Sequence, residues 1–117
     1  MVGSARHDIV IEEGATFILS LSLEDEAGQV ADLTGATARM QGRTLWDDTA
    51  TLFDLTSAGG DIVVDAAAGS VTVTIPAANT AGYSFDTGVY DLEVVELDGT
   101  VLRACYGVVE LSREITR

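Results

Sequence analysis

The residue types that carry most protein chemistry are scarce in this sequence. It has one histidine, His7, and one cysteine, Cys105. Neither a Ser-His-Asp nor a Cys-His arrangement can be built, since His7 lies in a polar N-terminal stretch and Cys105 inside a strand-like run. The same two residues fall short of a structural zinc site, which needs several Cys or His ligands. Carboxylates are plentiful, and Glu24-Asp25-Glu26 and Asp47-Asp48 could turn oxygens toward a cation. Neither cluster has the alternating ligands and closing Glu of a twelve-residue EF-hand loop, so both are read as solvated turns. A hydrolase built on paired acids would need two facing carboxylates and, for sugars, aromatic platforms, whereas Trp, Tyr and Phe make up only 6% of the chain. The glycine-bearing segments GATARMQGR and SAGGD match neither dinucleotide nor P-loop patterns, and no Lys is present to hold a phosphate. These absences predict no catalytic residues, no metal and no cofactor, and they direct attention to surfaces.

The surface is strongly acidic. Nineteen Asp and Glu face six basic residues, all Arg, for a formal charge of −13. Such a field repels nucleic acid and anionic lipid, so neither is an expected partner, while a positively charged protein surface is a suitable one. Carboxylates on a β-rich exterior also protect strand edges from aggregation. No apolar run approaches the ~20 residues of a membrane span, and MVGSARHDIV has no apolar h-region, so neither an anchor nor an export signal is expected. A single Cys in a strand-like run is read as a buried structural thiol.

Side-chain alternation describes the elements that must position any surface. Residues 88–111 read as two strands about Asp98-Gly99, with Tyr90, Leu92 and Val94 alternating against Asp91, Glu93 and Val95. Gly99 stands where a two-residue hairpin turn needs positive φ. Asp8 to Glu12 reads as a short strand. Ala15 to Glu24 sets Phe17, Leu19, Leu21 and Leu23 on one face, with Ile18 as the exception on the other. Ala36 to Arg43 puts Thr37, Arg39, Gln41 and Arg43 outward. Residues 44–48 read as a loop, followed by strands over 49–55, 62–65 and 71–75. Pro76 and the small residues after it allow one helical turn.

Eight or nine short strands with turn signals every eight to twelve residues predict an all-β protein, an antiparallel β-sandwich, with an open or closed barrel as the competing answer that periodicity alone does not separate. Residues 8–111 form the expected domain, flanked by a flexible N-terminal arm at 1–7 and a C-terminal tail at 112–117. At 117 residues the chain is long enough to bury roughly two-thirds of its unfolded surface without a disulfide or metal. Trp46, beside Asp47-Asp48 on a loop, is a candidate anchor for a partner or a cap over one end of the core. Arg39 and Arg43 on one outward face, with Arg113 and Arg117 in the tail, are candidates for contacts to carboxylates of neighbouring proteins.

Three stretches together carry a resemblance: DIVIEEGATFILSLSLEDEAGQVADLTGATARMQGR, GGDIVVDAAAGSVTVTIPAANTA and GVYDLEVVELDGTVLRACYGVVELSREITR. Their order and turn glycines resemble a type of small tailed-phage protein, the N-terminal domain of siphophage baseplate upper proteins and related immunoglobulin-like virion modules. The resemblance implies a non-enzymatic virion component that docks on the tail, baseplate or neck as a homo-oligomeric ring or symmetric array. A baseplate upper protein carries a long C-terminal extension beyond such a domain, and against that length a small accessory subunit is the expectation here. A capsid decoration protein and a carbohydrate- or receptor-binding module are the alternatives. A sugar binder would display aromatics such as Trp46, Tyr83, Tyr90 and Tyr106 on a concave face.

Overall fold

A computed structural model describes residues 5–117, and residues 1–4, the first part of the expected arm, lie outside the described residues. The chain is all-β. Its strands are β1 (Ala5–Arg6), β2 (Ile9–Glu12), β3 (Phe17–Ser22), β4 (Thr37–Arg43), β5 (Phe53–Thr56), β6 (Ile62–Asp65), β7 (Ser70–Ile75), β8 (Thr87–Val95) and β9 (Val101–Ser112), with one helical turn, α1 (Ala77–Thr80). A six-stranded sheet has the order β1-β9-β8-β4-β5, with β2 also on β9, and a three-stranded sheet has the order β3-β7-β6. The inward residues of the two sheets meet in one apolar core that includes Ile11, Met40, Val71, Val73, Ile75, Leu92, Val94 and Val109. Every strand from β2 onward except β9 buries alternate residues as its sequence predicts. The segment 29–36 forms no strand. It drops Ala31 and Leu33 into the core.

Three expectations need correction. The sheets are not wholly antiparallel, because β1 and β2 both run parallel to β9, Arg6 beside Tyr106 and Ile9 beside Val109. Consequently Ala5 and Arg6 are not arm but edge strand. The line of pairing breaks at His7 and Asp8, where the Asp8 carboxylate accepts the Val108 N–H in place of a backbone carbonyl, at 2.9 Å. That hydrogen bond, with Arg6 nearby, holds the Asp8 carboxyl below its ordinary value. Gly107 makes room for the break: a Cβ there would stand 2.7 Å from the His7 carbonyl oxygen. Beneath it, the buried Tyr90 hydroxyl donates to the same His7 carbonyl and lies 3.6 Å from Cys105 Sγ. Burial raises both the Tyr90 and Cys105 pKa values, so the thiol stays protonated.

The β8–β9 turn is also wider than a two-residue loop. Glu96 N–H donates to Thr100 O and Gly99 N–H to Glu96 O, leaving Leu97, Asp98 and Gly99 as a three-residue loop with Gly99 at φ +91°. The Asp98 carboxylate caps it by accepting the Thr100 N–H at 2.9 Å. Finally, residues 112–114 of the expected tail are fastened to the domain. Glu114 N–H donates to Glu13 Oε1, while Arg113 donates to Ser84 O and Asp86 Oδ1. Past α1, Tyr83 stacks on Phe53 at a centroid distance of 6.3 Å and Phe85 packs against it tilted, at 6.4 Å.

Candidate interaction surface

The outer face of the large sheet collects chemistry that the sequence disperses. Because β4, β8 and β9 lie side by side, their outward residues form rows across the strands. One row runs Tyr106, Asp91, Gln41, Asp54 with Arg6 on the β1 side; the next runs Arg103, Glu93, Arg39, Thr56; a third runs Val108, Val89, Arg43. Arg6, Arg39, Arg43 and Arg103 thus share one face, although the chain has only six basic residues against nineteen acidic ones. Neighbouring charges alternate in sign. Arg39 Nε lies 2.8 Å from Glu93 Oε1, Arg103 Nε 3.5 Å from Asp91 Oδ2, and Arg6 Nε 3.3 Å from Asp8 Oδ1. These pairs are half exposed to water, so they order the side chains more than they stabilise the fold.

A shallow hollow of about 430 Å³ opens on this face, with Arg6, Arg43, Trp46, Asp91, Tyr106 and Val108 on its walls. Arg43 builds one wall by positioning its loop. Its guanidinium donates to the carbonyls of Asp48 and Thr49, both at 2.8 Å, and to Gln41 Oε1 at 2.9 Å. Asp48 closes the turn by accepting the Leu45 N–H. Trp46 projects from that turn and is 82% exposed, so it does not cap the core. On the opposite wall the Arg103 guanidinium sits 5.5 Å from the centre of the Tyr106 ring.

The candidate residues therefore separate. Arg43 and Trp46 meet at the hollow, and Arg39 lies on the same face but is engaged by Glu93. Arg113 is bound to Glu13, Asp86 and Ser84, and Arg117 donates to Glu114 O. Neither lines the hollow. Of the aromatics, Tyr90 is buried, Tyr83 is packed on Phe53 and Phe85, and Trp46 and Tyr106 face outward. Asp25 takes the Ala27 and Gln29 N–H groups in a turn. Among the described residues, no group of three or more His, Cys, Asp or Glu is placed to hold a metal ion, and no helix is long and apolar enough to cross a membrane.

Sequence reasoning missed Arg6, Asp91 and Arg103, and named Tyr106 only among the aromatics of a sugar binder. For Arg103 the cause is a bulge. Leu92 pairs with Cys105 but Glu93 with Arg103, leaving Ala104 as an extra residue. Unbroken alternation would put Arg103 on the core side with Cys105, and the extra residue turns it outward beside Tyr106. For Arg6 no local signal exists, since its place depends on pairing with a strand about a hundred residues later.

Partial burial, then the neighbouring Glu93, raises the Asp91 pKa. A carboxyl raised on folding favours the folded state most below its unfolded pKa, and that contribution is lost as pH rises through the folded value. Asp91→Asn should therefore melt above the wild type at neutral pH. The two should converge in acid below the ordinary carboxylate range. Thermal unfolding across pH measures the difference, and a variant that melts lower at neutral pH would show that the Arg103 contact outweighs burial.

An all-β sandwich with an arginine- and aromatic-bearing sheet face is the class that fold and site define. No protein-family model and no curated protein matches the chain.

Proposed function

We propose that this protein is a non-enzymatic assembly module, a structural subunit of a tailed-phage particle that docks on neighbouring proteins through the outer face of its large sheet. The observation that carries the docking role is the gathering of Arg6, Arg39, Arg43 and Arg103 on one face of a chain with formal charge −13, around a Trp46 that is 82% exposed. Arg, Trp and Tyr are the residues most enriched at interface hot spots, and alternating charges select register against a partner. A partner with an apolar recess for Trp46 and carboxylates for the half-exposed Arg6 and Arg103 fits this face, with Arg43 holding the Trp46 loop in place. The phage assignment, in tail, baseplate or neck with capsid decoration as the alternative, is supported by the sequence resemblance.

The test uses particles lacking the wild-type gene and supplied with Trp46→Ala. Because Trp46 contacts little of its own chain, the variant should unfold within about 0.5 kcal/mol of the wild type. Loss of a hot-spot tryptophan, about 2 kcal/mol, should lower incorporation roughly thirtyfold, measured by quantitative mass spectrometry of purified particles. Undiminished incorporation would remove the large-sheet face from assembly. Absence of the wild-type chain from purified virions would end the virion assignment.

One observation favours a second reading, glycan binding: Trp46 and Tyr106 line the hollow together with Gln41, Asp91 and arginines, the aromatic and polar mixture that sugars require. Glycan-array binding lost in Trp46→Ala would support it.

A further inference from the structure

We infer that β3 is a self-association edge, along which two copies of this chain pair antiparallel about a two-fold axis at Ser20. The three-stranded sheet ends at β3, whose outer side has no strand among the described residues. Leu23 N–H donates to Gly69 O on the β7 side. In an antiparallel ladder successive residues turn their backbone groups to opposite sides, so Ile18, Ser20 and Ser22 direct N–H and C=O away from β7.

Sheet edges are normally blunted by charge, proline or a bulge. In this protein β1 carries Arg6, β2 Glu12, β5 Asp54 and β6 Asp65, whereas β3 reads Phe-Ile-Leu-Ser-Leu-Ser with no charge, no proline and an unbroken register. The uncharged run extends from Ala15 to Leu23 in a chain whose net charge is −13. Along it two such acidic molecules can approach without setting carboxylates against each other.

The self-complementarity of the strand identifies a second copy as the occupant. With Ser20 opposite Ser20 of the other copy, Ile18 falls opposite Ser22 and Ser22 opposite Ile18. All three outward backbone sites then exchange hydrogen bonds, and Glu24 faces Thr16 rather than another carboxylate. Shifting the register by one pair leaves an outward site of β3 against Thr16 or Glu24. On the core side, Leu19 comes beside Leu21 and Phe17 beside Leu23. Phe17, Leu21 and Leu23 are only partly buried, while Val71, Val73 and Ile75 on the neighbouring strand are fully covered. Pairing covers the side of the core that β3 leaves open. On the outer face, Ile18 at 64% exposure extends a neutral hydroxyl surface in which Ser20 and Thr72 are hydrogen-bonded at 3.1 Å.

This pairing extends the assembly reading by naming one partner, and it uses a different surface from the arginine-bearing face. Sedimentation velocity over a concentration series should show a monomer–dimer equilibrium that tightens as salt screens the acidic surfaces. Ser20→Lys places like charges together at the axis and should weaken the dimer about tenfold while leaving the melting temperature of the monomer unchanged. Ser20→Cys should be linked into dimers by a short bis-maleimide. Val63→Cys, on the far strand of the same outer face, should not, and Cys105 is buried. Trp46→Ala should leave the dimer intact, so failure of docking on particles and failure of β3 pairing are read separately. A monomer at every concentration, a dimer indifferent to Ser20→Lys, or linkage through Val63→Cys would overturn the inference.

Discussion

Leu92→Ala should destabilise the protein by about 3 kcal/mol and lower its melting temperature by about 10 °C. Leu92 is fully buried on β8, flanked in the sheet by Met40 of β4 and Cys105 of β9, themselves buried. A central position of this kind cannot collapse around the lost atoms, because β8 is held on both sides, and a cavity between the sheets remains. Denaturant unfolding monitored by far-ultraviolet circular dichroism gives the difference. Val63→Ala serves as the contrast: Val63 is 62% exposed, and its truncation should change stability by less than about 0.5 kcal/mol. A cost for Leu92→Ala no larger than that of Val63→Ala would show that the two sheets do not share one packed core.

Thr80→Val should cost about 2 kcal/mol although it conserves shape. Thr80 is the fully buried polar residue of the described chain, and its hydroxyl serves the turn between β2 and β3. Oγ1 accepts the Gly14 N–H at 3.1 Å and lies 2.8 Å from Ala15 O, to which it donates. Valine leaves both backbone groups without that partner. The neighbouring Glu13 receives Arg113 and the Glu114 N–H, so the consequence should spread to the C-terminal segment. Faster amide hydrogen exchange at Gly14 and Glu114 in Thr80→Val, with Thr80→Ser restoring wild-type protection, is the expected pattern. Unchanged exchange at Gly14 would remove Thr80 from this role.

The two variants also mark what could be read in advance. Leu92 announces itself, since its neighbours Asp91 and Glu93 place it on the apolar phase of an alternating run. Thr80 does not. In AANTAGY it is one small polar residue among several, and its importance comes from α1 setting it against a turn more than sixty residues earlier. The exposed partners behave similarly. Arg39 and Arg43 were legible as co-facial because they share one strand, whereas Arg6 and Arg103 join them through a parallel pairing and a bulge. Asp98-Gly99 marks the position of the hairpin loop but not its length, because Glu96 and Thr100 close it through a hydrogen bond that neither residue type signals.

What this sequence by itself determined is the strands from β2 onward, the buried faces of all but the bulged β9, the acidic exterior and the single-residue supply of His and Cys. These follow from local period and composition, because a pleated strand puts alternate residues on opposite sides whatever lies next to it. Only the tertiary structure decided which strands are neighbours, which edge stays open and which arginines stand together around Trp46. Those depend on pairing between distant segments and on one inserted residue that reverses a strand's phase, and no short window of sequence contains both partners of such a contact.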